Sequence, residues 1–577
     1  MAKSLCFAII FTVQSWLLLS IVLNYSAPKQ LSSARLPLSA AVCVVAKDDE
    51  AYIDEWVDYH QALGFSQFFV YDNSESNWMK QWGDEKGDHI TVIHYPDEMK
   101  RNFMFEATED CARRVAYEGM HKWVAFFDIR EFLILKKHGE VIRFLEKFCP
   151  SGGVSINRLL FGTAGRNVYS PQPVTKRFVY CKPEADKRVN QIFYVEDMIK
   201  SSSQITVKDT GGRVVGLGSV SANAHKPTDV AVFHYYLRSA KEYKHKMGKA
   251  LHIDENRTAE EPQEYELFNG TKQDETAWEA LKRLVPRYSM YDLHLAGNES
   301  LWPRYPPQHS TNATAAICVL AKYEEAYIDE WVDYHRAIGF TNFYIYDNSP
   351  NHELEQWASE KGNDVMSKHF PGFGVQSLSF KACLDEFILP RNHTWVAFTD
   401  VDEMIILKKH NNILDLLHDH CASGSLGLRW TTYGAGKRDV YQPLPVTRRF
   451  LYRKQASAFI KSIARVRDMD HQRNPEPHNI FLKHGTQHFT NGTAFTGSIH
   501  PDAPTDVAYI SHYFTKSFKE FVAKRMRGEG RYGKDGIDAK VTDAMQRKTG
   551  IDDLIYDEES WETTKHYLPH YRMFDQM

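Results

Sequence analysis

The run "AAICVLAK" (Ala315 to Lys322) is apolar without alternation, the pattern of a strand covered on both faces. Beyond it, Ile328, Trp331, Val332 and Ile338 recur at helical spacing, with Asp329, Glu330 and Asp333 on another face. "FTNFYIYDNS" (Phe340 to Ser349) predicts a second strand ending in polar residues, and "HTWVAFTDVDE" (His393 to Glu403) a later strand that stops at carboxylates. Strand, helix, strand in succession predicts an α/β domain, whose ligand sites form beyond the carboxyl ends of the strands.

The same pattern occurs earlier in the chain. "AYIDEWVDYH" stands at Ala51 to His60 and again, unchanged, at Ala326 to His335. "WVAFFDIREFLILKKH" (Trp123 to His138) matches "WVAFTDVDEMIILKKH" (Trp395 to His410), "PVTKRF" matches "PVTRRF", and "PTDVAVFHYY" matches "PTDVAYISHYF". Two long copies indicate tandem duplication of a whole domain, not a solenoid of short units. The boundaries read as 41–290 and 316–577, joined by a Pro-, Ser- and Asn-containing linker over 291–315. The repeated decapeptide is expected to pack a helix onto a sheet and to carry no chemistry.

Composition fits two packed domains: 43% hydrophobic, 13% aromatic and 25% charged residues, net charge −4, with no basic tract of the kind that binds nucleic acid. Only the start departs from it. Leu5 to Leu23 carries no charge, which predicts a transmembrane signal anchor over 5–24 after a cytosolic tail of residues 1–4, with 25–40 as a stem. Cleavage near Ser26 and Ala27 is the alternative. Acceptor sequons at Asn24, Asn256, Asn269, Asn298, Asn312, Asn392 and Asn491 favour a lumenal location for the rest. Among the cysteines, Cys111 with Cys149 and Cys383 with Cys421 repeat one spacing, from which a disulfide is expected in each half; Cys43 and Cys318 read as buried thiols.

Asp400, Asp402 and Glu403 follow directly on an apolar strand. Carboxylates flanking one bulky residue can converge on a divalent cation where a strand gives way to a loop, and oxygen ligands suit Mg2+ or Mn2+. The ordered set "ICVLAKYEEAYIDEWVDYHRAIGF", "YIYDNS", "WVAFTDVDE" and "HYFTKS" resembles glycosyltransferase family 92, and both halves carry the resemblance. It implies two tandem GT-A-like, Rossmann-like domains and an inverting, metal-dependent transfer, most readily of galactose from UDP-galactose to a glycan. It also implies a single-pass type II Golgi membrane protein with its catalytic part in the lumen.

Carried over by position, the resemblance makes Asp400 and Asp402 ligands of Mn2+ (or Mg2+) and the diphosphate, with His512 as a third metal ligand or a diphosphate contact. Glu324, Asp347 and Glu403 join them as residues of the UDP-sugar site, and Lys516, Lys524 and Arg527 are positioned to meet phosphates. The first copy reads Asp128-Ile129-Arg130 where the second has Asp400-Val401-Asp402, and it lacks a counterpart of "RNPEPHNIFLKHG" (Arg473 to Gly485). An Arg cannot ligate Mn2+, so the second copy is expected to turn over and the first to be inactive. The base that takes the acceptor proton stays open between Asp439, Asp468, Asp470 and Glu476. Two rivals remain: a glycan- or nucleotide-sugar-binding protein without turnover, and the same reaction with another UDP-sugar.

Overall fold

The computed structural model describes residues 38–74, 77–94, 103–137, 139–186, 188–200, 205–215, 229–235, 237–239, 242, 270–295, 305–309, 312–350, 352–436, 440–454, 457–526 and 554–576. The anchor segment 5–24, Asn24, Asn256, Asn269, Asn298, Asp439 and Arg527 lie outside them. No helix among the described residues is long and apolar enough to cross a membrane. The chain divides into two compact units, Met1–Tyr288 and Ser289–Met577.

The first unit begins with β1 (Ala40–Ala46), α1 (Ile53–Leu63), β2 (Gln67–Asp72), α2 (Trp78–Lys86), β3 (Ile90–His94) and α3 (Phe103–Glu118). There follow β4 (Trp123–Asp128), β5 (Glu131–Leu135), α4 (Val141–Phe148), β6 (Gly153–Leu160), β7 (Val189–Tyr194) and β8 (Val230–His234). Strands β3, β2, β1 and β4 lie parallel in that order, and β7 and then β6 extend the sheet. Off its end, β8 pairs antiparallel with β5 and parallel with β6.

The second unit repeats this plan with β9 (Ala315–Ala321), α5 (Ile328–Ala337), β10 (Asn342–Asp347), α6 (Glu355–Lys361), β11 (Val365–His369) and α7 (Gln376–Cys383). Its remaining elements are β12 (Trp395–Thr399), β13 (Glu403–Leu407), α8 (Ile413–His420), β14 (Ser425–Gly434), β15 (Ile460–Arg465), β16 (Ala508–His512) and α9 (Phe518–Met526). The order is β11-β10-β9-β12-β15-β14, with β16 joined to β13 and to the far half of β14. Each unit is therefore a mixed α/β domain with a Rossmann-like parallel half and an antiparallel flank.

The decapeptide is the first part of α1 and of α5, and its constancy follows from what its side chains hold. In the second unit Trp331 Nε1 donates to the Glu403 carbonyl (2.9 Å), and Tyr334 Oη to the Ile405 carbonyl (2.9 Å). His335 Nε2 accepts from Ile405 N–H (3.3 Å) while Nδ1 meets the Trp331 carbonyl (2.8 Å), a neutral tautomer; burial pushes its pKa down to about 3. Glu330 receives Val446 N–H and both donors of Thr447. Trp56, Tyr59, His60 and Glu55 make the same bonds in the first unit. The helix thus clamps the strand that opens with Glu403 in one unit and Glu131 in the other.

The disulfides correct the expected pairing. Cys43 in β1 bonds Cys111 in α3, and Cys318 in β9 bonds Cys383 in α7, whereas Cys149, Cys181 and Cys421 are buried free thiols. The helix before the fourth parallel strand lies over the central strand and brings its cysteine onto that strand's face. A duplication repeats spacings between residues that never meet, while the true pairs are separated by 68 and 65 positions, so a shared spacing did not identify partners.

Candidate active site

The site of the second unit forms where β12 ends. Asp400, Val401 and Asp402 make a tight connection into β13: Glu403 N–H reaches the Asp400 carbonyl (3.1 Å), and Glu403 Oε2 accepts the Asp400 N–H (3.0 Å). Register on the antiparallel flank then sets Glu403 opposite His512, and Thr432 beside it. Three carboxylates and an imidazole are gathered by backbone pairing alone.

Two lysines face them. Lys461, on β15 and only 2% exposed, bonds Asp400 Oδ2 (2.7 Å) and Glu403 Oε2 (2.8 Å). Burial works against its charge, but the two carboxylates hold its pKa above the ordinary value. Lys524 of α9 bonds Asp402 Oδ2 (2.5 Å), and His512 Nε2 lies 3.6 Å from Asp402 Oδ1. Burial opposes ionisation of Asp402, yet Lys524 and His512 keep its pKa well below the usual carboxylate range. Glu403 goes the other way: burial pushes it up to about 7 against the pull of Lys461, and its Oε1 is buried with no hydrogen-bond partner. Gln376 at the start of α7 donates to Asp400 Oδ1 (2.9 Å). The Trp430 ring lies 4.1 Å from that of His512 and 5.1 Å from that of His478.

The other candidates fall around this cluster unequally. Glu324 is buried and accepts from Lys516 Nζ (3.0 Å), which also lies 3.4 Å from the centre of the Tyr327 ring. Lys516 holds this place with φ of 49°, a left-handed conformation retained at Arg238, its first-unit counterpart. Asp347, fully buried, spends its oxygens on the N–H groups of Ser349 and Leu354 (both 2.9 Å) and shapes the turn after β10. Asp468 accepts from Gly424 N–H (2.8 Å), just before the start of β14, and Asp197 makes the same bond to Gly152 in the first unit. Such a shared bond braces a loop. Glu476 lies on the segment that runs beside β15, where Pro477 accepts from Ser462 N–H (3.0 Å), next to Lys461.

The first unit keeps the frame and carries different side chains at the matching positions. Strand register places Arg130, Asn190 and Arg158 where the second unit has Asp402, Lys461 and Trp430. Arg130 clasps Asp128 by two bonds (2.7 and 2.6 Å), while Arg158 bonds Glu131 (3.1 Å). The Asp49–Arg238 pair (3.1 Å) repeats Glu324–Lys516. Arg130 thus sets a guanidinium on Asp128 where the second unit has the Asp402 carboxylate.

Sequence similarity takes in both units. The profile of glycosyltransferase family 92 matches residues 39–175 and 313–548, well over half of the chain. The chain belongs to glycosyltransferase family 92. The resemblance read from the ordered motifs is thereby borne out. Family 92 proteins of Oryza sativa subsp. japonica (22% identical over 266 residues) and Arabidopsis thaliana (24% over 261) are similar to it. The matches take in 45% and 42% of this chain and 43% of each relative, so the chain spans less than half the length of these relatives. Among solved structures, 4-diphosphocytidyl-2C-methyl-D-erythritol synthase superposes with 94% of its length on 34% of the chain, at 11% identity and a TM-score of 0.19. The family match in the first unit stops at residue 175, before His234.

Lys461, Trp430 and Gln376 were not anticipated. Lys461 could have been found as a cation near the start of the strand "IKSIAR" that is replaced by Asn190 in the other copy.

Proposed function

We propose that the second unit is a GT-A-type transferase that moves a hexose, galactose by preference, from a UDP-sugar to a glycan hydroxyl with inversion, and that the first unit does not turn over. The observation that carries this is the carboxylate, histidine and lysine cluster beyond β12, dismantled at three positions in the first unit. Lys461, Lys516 and Lys524 supply fixed positive charge for a leaving diphosphate in a partly dehydrated site. Asp400 and Glu403 hold Lys461 in place, and Glu476, on the segment the first unit lacks, is the base that takes the acceptor proton.

The donor set suits a hard divalent cation, and the Lys524 ammonium on Asp402 is a stand-in for one. Asp402 and His512 would hold it, since Mg2+-like ions take one or two protein ligands and complete their shell with water and substrate phosphate. Asp400, Asp402 and His512 do not bring three ligand atoms within 4.8 Å of one another. Asp400 is accordingly assigned to Lys461 and Gln376. A bound cation would neutralise the diphosphate and lower the barrier to its departure.

A Golgi location with 5–24 as the anchor completes the proposal. Its support is the intradomain disulfides, which persist in oxidising compartments, and the exposed sequons at Asn312, Asn392 and Asn491. The test is release of nucleoside diphosphate by the purified protein from a panel of nucleotide sugars with a glycan acceptor library, with Mn2+ or with chelator. Release from UDP-galactose that chelation abolishes is expected. Binding of donor or glycan without release across the panel would favour a binding protein instead.

A further inference from the structure

Among the described residues, one group of three metal-ligating side chains brings its ligand atoms within 4.8 Å of one another, and it lies apart from the carboxylate cluster: His309, His418 and Asp419. His418 and Asp419 stand in the last turn of α8, and His309 in the segment that leads into β9. That segment is fixed to α8 independently of the His309 ring. Gln308 N–H donates to Asp415 Oδ1 (2.9 Å), and Asn412 Nδ2 donates to the Tyr305 carbonyl (2.7 Å).

Asp419 Oδ1 lies 3.0 Å from His418 Nδ1 and 3.5 Å from His309 Nε2. A tetrahedral zinc ion with bonds of about 2.0–2.1 Å separates neighbouring donor atoms by roughly 3.3 Å, between these two values. The two imidazoles stack with centroids 3.8 Å apart, so the rings must turn out of their stack for both to ligate one ion. Side-chain exposures of 43% for His309 and 52% for His418 leave the rings room to fan around an ion.

Two further features call for a cation at this place. Asp419 sits at the C-terminal end of a helix, where the macrodipole disfavours a carboxylate unless positive charge stands beside it. Its second oxygen, Oδ2, is held at 3.1 Å by His410 Nε2, whose Nδ1 is buried and without a partner, so the proton belongs on Nε2. A ligating carboxylate is commonly oriented by such an outer hydrogen bond. The first unit has Glu146, Lys147 and Phe148 where the second has His418, Asp419 and His420. Nothing equivalent can form there.

We propose that His309 Nε2, His418 Nδ1 and Asp419 Oδ1 form a Zn2+ site, oriented by His410 and completed by water, that clasps the segment before β9 to the end of α8. Imidazole with carboxylate is a donor set suited to zinc, and the geometry owes nothing to the proposed sugar transfer.

The test is titration of the full chain, without a polyhistidine tag, with Zn2+ against a chromophoric chelator at neutral pH. One equivalent is expected to bind. Alanine at His309 or at His418 should weaken binding by about tenfold or more, His410→Ala by about tenfold through loss of orientation, and Glu146→Ala not at all. Bound zinc should also protect His309 and His418 from acylation by diethyl pyrocarbonate. Absence of stoichiometric binding would overturn the proposal, as would zinc that survives both ligand variants and disappears with Asp402→Asn, which would assign the ion to the carboxylate cluster.

Discussion

Lys461→Met isolates the electrostatic contact on which the candidate site is built. The Lys461 ammonium stands between Asp400 and Glu403, and Glu403 is fully buried with a pKa of about 7 against an ordinary 4.5. That rise corresponds to about 3 kcal/mol lost when Glu403 must ionise inside the fold. Because the folded-state value lies above the unfolded one, the stability this group contributes is fully present below about pH 4.5 and is lost as pH rises through about 7. Lys461 does most to lower the Glu403 pKa, so its removal moves the value higher still and leaves buried Glu403 facing the half-buried Asp400 carboxylate. Breaking a buried pair by removing one partner costs about 3–5 kcal/mol. That loss is expected at about pH 8.5, and a distinctly smaller one at about pH 5.5, where a proton on Glu403 replaces the missing charge. Denaturant unfolding followed by tryptophan fluorescence at both pH values measures the difference. Equal losses at the two pH values, or no loss at either, would refute the pairing as described.

Peptide mapping without reduction should recover Cys43 linked to Cys111 and Cys318 linked to Cys383, with Cys149, Cys181 and Cys421 alkylated only after denaturation. Gly424 has φ of 82°, and a Cβ there would meet the Thr486 carbonyl oxygen at 2.1 Å. Gly492 has φ of 80° and open space around it. Gly492→Ala should therefore cost only the left-handed backbone penalty of about 1–2 kcal/mol, and Gly424→Ala distinctly more, by thermal or denaturant unfolding.

The parallel half of each unit was legible because its strands are continuous apolar runs and α5 shows one apolar face; local pattern is enough for such elements. Asp400 and Asp402 were legible for a related reason, as polar residues that terminate a buried strand. Lys461 was not, because what gives a charged residue in a strand its meaning is which carboxylates the antiparallel flank sets against it, and that register is nonlocal. The disulfides failed on the same ground, since the partner of Cys318 depends on where α7 crosses β9. Asp347 and Asp468 show the converse. Asp347 reads as a UDP-sugar contact and Asp468 as a candidate base by position, and each accepts from backbone N–H in the folded chain, a role that sequence order cannot separate from catalysis.

The most direct test of a catalytic second unit beside a silent first is a pair of matched substitutions, Asp402→Asn and Asp128→Asn, in otherwise identical protein, with nucleoside diphosphate release from the preferred donor as the readout. Asp402→Asn should reduce release by about 100-fold or more, as loss of a transition-state electrostatic contact does, while Asp128→Asn leaves it within about twofold. Full activity in Asp402→Asn, or its loss in Asp128→Asn, would contradict the account.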